Sequence, residues 1–397
     1  MTTLDELRRS PNALAAHYSR FRVADRLLLS GHSHQAWPDV ALEGQVRAFE
    51  DAAECVDEKW GRAFAKADEV RAGYRTLLGD PAGEIALGAN THELVIRFLS
   101  ALDLPGRPRL VTTDGEFHTL RRQLARLREA SVDVVAVPAE PADTLAERLA
   151  EQIDGRTAAV LVSAVLFETS RIVPGLGILA AACRERSVEL LVDGYHALGA
   201  VPLPIHDLGL GDAWIVGGGY KYLQLGEGNC FLRLPRQAED LRPVITGWYA
   251  EFDALAERRP GLVGYGPGAT RFAGSTYDPT SNYRAARVFA FFAEQGLTPE
   301  FLRQSYLHQT GLLAEEFDAL DAPEELITRD RTAPRTEFGG FVSLRTPRAG
   351  ELQRALAGRG VLTDSRGEFL RFGPAPYLSD EQLVSSVAAL GEALRAL

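Results

Sequence analysis

Short hydrophobic segments alternate with amphipathic segments through the middle of the chain. Runs with the length and composition of buried strands lie at residues 84–88, 109–115, 132–137 and 157–166. The intervening segments have the apolar spacing of helices that cover a sheet. This alternation continues from residue 84 to residue 235, and it predicts an α/β fold with a mostly parallel sheet and helices on both faces.

The C-terminal third has a different pattern from the middle of the chain. Residues 282–320 are strongly helical, and residues 321–397 have the mixed pattern of a small α/β domain. A chain of 397 residues is long enough for two domains. We predict an N-terminal arm with part of the small domain at 1–45, a large domain at 46–285 and a small C-terminal domain at 286–397.

Composition narrows the classes of partner and compartment. The formal net charge of -11 disfavours nucleic-acid and membrane-surface partners. The N-terminus has no apolar signal core, and no apolar run is long enough to span a bilayer. Cys55, Cys183 and Cys230 lack paired spacing, which suits a reducing cytoplasm. His32 and His34 have no evident third ligand, so no metal site is predicted.

Lys221 follows three glycines at the end of a short hydrophobic segment, residues 213–216. Of 43 basic residues, only Lys59, Lys66 and Lys221 are lysines. A guanidinium group stays protonated, whereas a desolvated amine can lose its proton and attack a carbonyl. Lys59 and Lys66 lie on a charged helical face, where ion pairs explain them. Lys221 is therefore a candidate nucleophile, the alternative being a solvated loop lysine.

Asp193 ends the hydrophobic segment 188–193. A parallel strand here would deliver its carboxylate to the C-terminal edge of the sheet, and the next strand would deliver Lys221 to the same edge. Pyridoxal phosphate needs such a pair, because a lysine holds its aldehyde as a Schiff base and a carboxylate keeps its ring nitrogen protonated. Taken alone, Asp193 could equally be a turn or capping residue. Together the two residues predict a pyridoxal-phosphate site.

Three motifs carry a family resemblance: Asp193-x-x-His196, Gly-Tyr-Lys221-Tyr-Leu and the following Gly226-Glu-Gly. They resemble the fold-type I pyridoxal-phosphate enzymes of the class V aminotransferase group, and kynureninases most. The resemblance extends from about residue 27 to the C-terminus. It implies a large, mostly parallel seven-stranded sheet domain sandwiched by helices, and a smaller C-terminal α/β domain. It also implies pyridoxal phosphate as cofactor, with His196 among its contacts, and a homodimer with shared active sites.

The resemblance assigns contacts to the cofactor phosphate and ring. Asn90 and Thr91 fall on the paired polar positions of the phosphate-carrying turn, where a helix N-terminus also attracts an anion. Asn90 would cap this helix as well. His118 matches the ring-stacking histidine of the related cysteine desulfurases. An alternative register makes Phe117 the stacking residue and places Leu120 where kynureninases carry Asp.

Two further cofactor contacts and one departure follow from the same resemblance. The segment Gly-Trp248 resembles one whose tryptophan contacts the cofactor phosphate or the substrate, a core tryptophan being the alternative. Thr276 matches the threonine of a loop that reaches across the dimer interface to the partner's phosphate. Ala164 stands at a strand end where many relatives place Asn or His, and it cannot supply their hydrogen bond.

The substrate-binding residues are also implied by the resemblance. Arg371, in Leu-Arg371-Phe-Gly-x-Ala-Pro, matches the arginine that binds the substrate α-carboxylate through its planar pair of donors. A surface arginine is the alternative. His32, Ser33 and Trp37 fall in a loop beside the active site and are placed near the substrate. Tyr220 is the candidate proton donor.

These assignments predict hydrolytic cleavage of the Cβ–Cγ bond of kynurenine or a related aryl-keto amino acid, giving alanine and an aromatic acid. Lys221 would act as general base while Asp193 partners the ring nitrogen. The alternative is a class V aminotransferase or another amino-acid lyase. Desulfuration is disfavoured, because no cysteine follows Cys230. A catalytically silent binding protein is disfavoured by the retention of Lys221, Asp193 and Arg371.

Overall fold

The computed structural model describes residues 2–255 and 261–396. Its helices are α1 (Leu4–Arg8), α2 (Val40–Cys55), α3 (Lys59–Leu78), α4 (Thr91–Ala101), α5 (His118–Glu129), α6 (Leu145–Glu151), α7 (Leu176–Glu185), α8 (Thr280–Gln295), α9 (Pro299–Ala319), α10 (Ala349–Ala357) and α11 (Asp380–Arg395). Its strands are β1 (Leu27–Leu28), β2 (Glu84–Gly88), β3 (Arg109–Thr113), β4 (Asp133–Val137), β5 (Thr157–Ser163), β6 (Glu189–Asp193), β7 (Trp214–Gly218), β8 (Cys230–Leu234), β9 (Thr328–Arg329), β10 (Val342–Arg345), β11 (Val361–Leu362), β12 (Asp364–Arg366) and β13 (Phe369–Phe372).

The large sheet has seven strands in the order β2–β8–β7–β6–β5–β3–β4. Strands β3 to β7 pair in parallel, whereas β8 runs antiparallel to both of its neighbours. A loop without a helix connects β7 to β8, so the chain returns in the opposite direction. The predicted α/β fold with a mostly parallel seven-stranded sheet is confirmed.

Two hydrophobic cores cover the two faces of this sheet. Successive side chains of a strand point to opposite faces, and β5 follows this rule: Val160 and Val162 pack in one core, Ala159 and Leu161 in the other. All residues of β5 are buried, as expected for a central parallel strand between helical layers. Because the body of such a strand is buried on both faces, polar functional side chains are expected mainly at the ends of the strands.

The C-terminal part of the chain forms a smaller antiparallel sheet in the order β12–β13–β10–β9, with α9 and α10 packed against it. The N-terminal segment joins this part, because β1 pairs in parallel with β11. Just beyond β1, Ser30 forms a parallel bridge with Gly373. The segment that follows β1 consequently lies beside β13, which carries Arg371.

Two predicted strands are shorter than expected, and the first, at residues 109–115, ends at Thr113. The strand expected at residues 157–166 ends at Ser163. Beyond that point the backbone N–H of Ala164 donates to the carbonyl of Asp193 at 2.9 Å, and Val165 pairs with Ile172 in a separate antiparallel bridge. The run stays buried but leaves the sheet where its neighbour β6 ends. Within the described residues, no helix has both the length and the hydrophobicity to cross a bilayer.

Candidate active site

A cavity of about 430 Å³ lies at the carboxyl ends of β5, β6 and β7. Its lining includes Ser163 and Asp193, which are the last residues of β5 and β6, and Lys221, which lies just beyond β7. Parallel strands bring their carboxyl ends to one edge, which is where open α/β sheets bind ligands. The sequence expectation that Asp193 and Lys221 reach the same edge describes this arrangement.

Lys221 is delivered to the cavity by the glycine run that ends β7. A Cβ atom on Gly218 would lie 2.5 Å from the Tyr195 hydroxyl, and one on Gly219 would lie 2.4 Å from Leu225. The chain can therefore pack tightly at this point only without side chains. Lys221 itself is 5% exposed, and its Nζ lies 2.6 Å from His196 Nε2.

The Lys221 amine sits among aromatic rings rather than carboxylates. Its Nζ lies 5.0 Å from the ring centroids of both Phe117 and Tyr195. Among the described residues, no carboxylate forms a salt bridge with it. Burial lowers the pKa of Lys221 far below its usual range, and the nearby charge of Asp193 only partly opposes this shift. An amine with a lowered pKa can be a nucleophile and a base near neutral pH.

Asp193 and His196 complete the polar floor of the cavity. Asp193 Oδ1 accepts a hydrogen bond from the backbone N–H of Tyr195 at 2.8 Å, and burial raises the pKa of its carboxyl group. Burial likewise lowers the pKa of His196, so its ring is neutral at neutral pH. His196 Nδ1 is buried without a hydrogen-bond partner among the described residues. A polar atom in that state fits a site that receives a polar group.

The N-terminus of α4 forms one wall. Asn90 and Thr91 both line the cavity, and Asn90 caps the helix by accepting from the Glu93 N–H at 2.9 Å. The capping prediction and the cavity position therefore coexist at Asn90. A helix N-terminus presents free N–H groups and a positive dipole end, both of which favour an anion.

The two candidate ring-stacking residues occupy different environments. Phe117 lines the cavity and faces the Lys221 amine. His118 is exposed, is not found in the cavity lining, and lies 3.1 Å from a terminal nitrogen of Arg121 through its Nδ1. The difference arises because α5 begins at His118, leaving Phe117 as the last extended residue. Leu120 is buried in a hydrophobic core and offers no polar group.

Tyr220 also lines the cavity, with its ring centroid 5.8 Å from Lys221 Nζ. Burial raises the pKa of Tyr220 to about 12, so its phenol stays protonated and can donate a proton. The ring of His34 stacks on it at 4.8 Å.

Trp248 and Thr276 do not line this cavity. Trp248 Nε1 lies 3.3 Å from Thr276 Oγ1, and the tryptophan is 42% exposed. Thr276 lines an adjacent cleft of about 680 Å³ that shares Ala89, Glu227 and Gly228 with the cavity. The assignment of Trp248 to the cofactor phosphate or the substrate, and of Thr276 to the partner's cofactor phosphate, stays a prediction.

None of the residues predicted to lie near the substrate lines the cavity, and only Arg371 and His32 form a cluster beside it. Arg371 and His32 are buried and both contact Asp364, whereas Ser33 Oγ lies 3.2 Å from His34 Nδ1. Burial lowers the pKa of His196 most, the charge of Lys221 lowers it next, and the charge of Arg371 is near enough to lower it further. Trp37 points elsewhere, with its ring 4.6 Å from the Arg284 guanidinium.

Two acids that the sequence predictions omitted belong to this region. Glu116 is fully buried and accepts from Ser163 Oγ at 2.6 Å and Thr113 Oγ1 at 2.8 Å. Burial raises the pKa of Glu116 to about 7. Asp364 holds Arg371. An acid directly after a strand, next to the aromatic Phe117, was the available signal for Glu116. No local pattern marks Asp364. Within the described residues, no three His, Cys, Asp or Glu side chains converge as a metal site.

The fold identifies the general class. The chain superposes on a cysteine desulfurase from Thermococcus onnurineus NA1 with a TM-score of 0.80 at 16% identity, covering 98% of this chain and 99% of the other. It superposes on a C-DES variant, titled as having glycine covalently linked to its PLP cofactor, with a TM-score of 0.81 at 18% identity, covering 95% and 98%. The fold is that of the fold-type I pyridoxal-phosphate enzymes, and pyridoxal phosphate is the cofactor of this class, as predicted.

The particular resemblance is to kynureninases. Residues 302–390 match the family model described as the kynureninase C-terminal domain. The chain is 28% identical to "Kynureninase 1" of Chaetomium globosum over 409 aligned positions, which cover 90% of this chain and 78% of that protein. The predicted resemblance to kynureninases is thereby confirmed.

Proposed function

We propose that this chain is a pyridoxal-phosphate enzyme that hydrolyses the Cβ–Cγ bond of kynurenine or a related aryl-keto amino acid, as in tryptophan breakdown. Alanine and an aromatic acid would be the products. The observation that carries the proposal is one cavity lined by a buried lysine, a strand-end aspartate and a helix N-terminus. The kynureninase family model and the 28% identical relative support the choice of reaction.

The residues of the cavity fit the chemical parts of pyridoxal phosphate. Lys221 would bind the aldehyde, Asp193 the ring nitrogen, and Asn90 with Thr91 the phosphate. When bound, the cofactor supplies an electron sink for the substrate's α-carbon. The unpartnered His196 Nδ1 supports the fit, because a buried polar atom is stabilised by a polar group of the ligand.

Proton transfers would fall to Lys221 and Tyr220. The lowered pKa of the Lys221 amine suits a group that takes a proton from the substrate near neutral pH. Tyr220 holds its proton because burial raises its pKa to about 12. Tyr220 would therefore act as the proton donor, whereas Lys221 would act as the base. Arg371 would bind the substrate α-carboxylate.

Aromatic side chains in the cavity lining favour an aryl substrate. Phe117, Tyr195 and Tyr220 line the cavity, and the Phe117 ring packs edge to face on Phe167 at 5.4 Å. A flat aromatic group bound near such rings gains offset or edge contacts. An aliphatic amino acid would leave this surface unused.

Homodimerisation and a cytoplasmic location are parts of the same proposal. Thr276, which lies beside the exposed Trp248, belongs to the loop that the family resemblance assigns to contact with a partner subunit. The three cysteines, Cys55, Cys183 and Cys230, are unpaired, which suits a reducing compartment.

The second candidate is a class V aminotransferase, which would use the same lysine, acid and arginine. Two solved structures that share this fold are titled as cysteine desulfurases, so the fold is compatible with reactions other than that of the kynureninase relative. Incubation with kynurenine and 3-hydroxykynurenine separates the candidates. Hydrolysis gives a fluorescent aromatic acid and alanine. A transaminase instead converts its cofactor to the pyridoxamine form and leaves the Cβ–Cγ bond intact, so it releases no anthranilate, which would contradict the proposed reaction.

A further inference from the structure

The guanidinium group of Arg371 is held by two separate parts of the chain. Its Nε and Nη2 donate to the two carboxylate oxygens of Asp364 at 2.7 and 2.8 Å, and its Nη1 donates to the carbonyl oxygen of Phe167. Asp364 is the cross-strand neighbour of Arg371 in the small sheet. Phe167 lies in the segment that follows β5 of the large sheet. Arg371 is therefore fixed relative to both sheets.

These contacts leave two N–H groups of the guanidinium without an acceptor among the described residues. An arginine has five N–H donors, and the contacts with Asp364 and Phe167 use three of them. One N–H remains on each terminal nitrogen. Two parallel N–H groups are what a carboxylate accepts in a bidentate pair.

Asp364 is itself held in place by His32. His32 Nε2 lies 3.1 Å from Asp364 Oδ1, and the His32 ring stacks on Phe341 at 4.7 Å with no exposed surface. Burial lowers the pKa of His32 to about 4, so the ring is neutral near pH 7. An ionised carboxylate only accepts hydrogen bonds, hence His32 donates from Nε2. Although burial opposes it, this bond and Arg371 hold the pKa of Asp364 well below its usual range.

The surrounding backbone leaves His32 little freedom to turn toward a substrate. A Cβ atom on Gly373 would lie 2.2 Å from His32 Nδ1, so only glycine allows this packing. The Gly31 N–H donates to the Gly373 carbonyl at 2.8 Å, which fixes the loop that carries His32. The enclosed ring has no exposed surface, and its hydrogen-bond partner among the described residues is Asp364.

We propose that Asp364 and His32 are positioning residues for the substrate α-carboxylate. His32 orients Asp364, Asp364 orients the guanidinium of Arg371, and the two remaining N–H groups of Arg371 bind the carboxylate end-on. This role rests on the proposed function, because it requires an amino-acid substrate. It replaces the direct substrate contact that the sequence suggested for His32 with an indirect one.

The opposite role for Asp364 makes a distinct prediction. The negative charge of Asp364 neutralises Arg371, so it could compete with a substrate carboxylate instead of preparing its site. In that case, removing the charge would strengthen carboxylate binding. A positioning role requires the reverse, because a released guanidinium loses its preorganised geometry.

The test compares two probes that differ only in the carboxylate, L-alanine and L-alaninamide. Each is titrated into the cofactor-loaded protein, and the dissociation constant is taken from the change in visible absorption. The ratio of the two constants isolates the contribution of the carboxylate. The intrinsic difference between the two amines cancels when ratios are compared between variants. We expect Asp364→Asn to reduce the preference for alanine roughly tenfold or more, with alaninamide affinity little changed.

A second pair of variants tests the same role without altering the acid. His32→Phe keeps an aromatic ring against Phe341 but removes the donor, and we expect a several-fold loss of the preference. His32→Gln restores an N–H and should recover most of it. Glu368→Gln is the matched control, because it breaks the exposed Arg345–Glu368 pair of the same region, 3.3 Å apart, and should leave the ratio unchanged.

The outcomes separate this role from the proposed function. Equal weakening of both probes in Asp364→Asn would mean a purely structural role, and a stronger preference for alanine would mean competition; either overturns the inference. If Asp364→Asn does not fold or load cofactor, the two His32 variants decide. Failure of the unaltered protein to take up cofactor would overturn the proposed function and this inference together. Normal uptake with unchanged ratios would overturn the inference alone.

Discussion

Among the buried basic side chains of the described residues, Lys221 and Arg371 lie in adjacent clusters and have opposite surroundings. Lys221 is 5% exposed and Arg371 is 3% exposed, so both have lost most of their hydration. Protein hydrogen bonds replace this hydration at Arg371, because a carboxylate accepts from two of its nitrogens and a carbonyl accepts from the third. Lys221 faces a neutral imidazole and aromatic rings, and the described residues offer it no salt bridge.

Pairing rather than burial accounts for the difference in chemistry. An unpaired buried amine is destabilised in its charged form, so its pKa falls and it becomes reactive. A buried guanidinium that is held by a carboxylate stays charged and immobile. The first cluster is therefore suited to covalent and proton-transfer chemistry, and the second to holding an anionic group in one orientation.

The largest expected effect comes from the acid that serves the lysine cluster. In Asp193→Asn, the ring nitrogen of a bound cofactor would lose its charged partner, and we expect activity to fall roughly 100-fold or more. The rate of product formation from kynurenine measures it. Asp212→Asn is the control, because Asp212 pairs with Arg184 at 3.0 Å on the surface and its loss should change little. Equal activity of the two variants would remove Asp193 from the mechanism.

Stability measurements on the cofactor-free protein compare the two clusters directly. Asp364→Ala leaves the Arg371 guanidinium buried without its acid, which should lower the free energy of unfolding by roughly 3–5 kcal/mol. Lys221→Met removes an unpaired buried amine and keeps its shape, so the free energy of unfolding should stay equal or rise. Urea denaturation measures both. A large loss of stability in Lys221→Met would show that the amine is paired after all.

A smaller effect is expected at Glu116, another buried acid of the region. Because burial raises the pKa of Glu116 from 4.5 to about 7, the folded state binds its proton more tightly than the unfolded state. Its contribution to stability is therefore full below pH 4.5 and is lost as the pH rises to about 7. Glu116→Gln should raise the free energy of unfolding by about 1–3 kcal/mol at pH 8 relative to its effect at pH 4.5. A pH-independent difference would contradict this assignment.

The sequence predicted the parts of the site that depend on local pattern. The run that ends in Asp193 and the glycines before Lys221 mark strand ends, and strand ends of a parallel sheet converge. The helix cap at Asn90 is equally local. These features required no knowledge of which strands pair.

Other features depend on registers and boundaries that no short segment encodes. Whether Phe117 or His118 faces the cavity is decided by α5 beginning at His118, a shift of one residue. The pairing of Arg371 with Asp364 depends on the register of β12 and β13. The burial of Glu116 beside Ser163 brings together residues 47 positions apart in sequence.

The most direct test of the central claim uses the scarcity of lysine in this chain. The protein is loaded with pyridoxal phosphate, reduced with borohydride and digested, and the modified peptide is identified by mass. With only Lys59, Lys66 and Lys221 available, we predict that the cofactor mass is found on the Lys221 peptide and is absent from Lys221→Ala. A label confined to Lys59 or Lys66, or no label at all, would contradict the account.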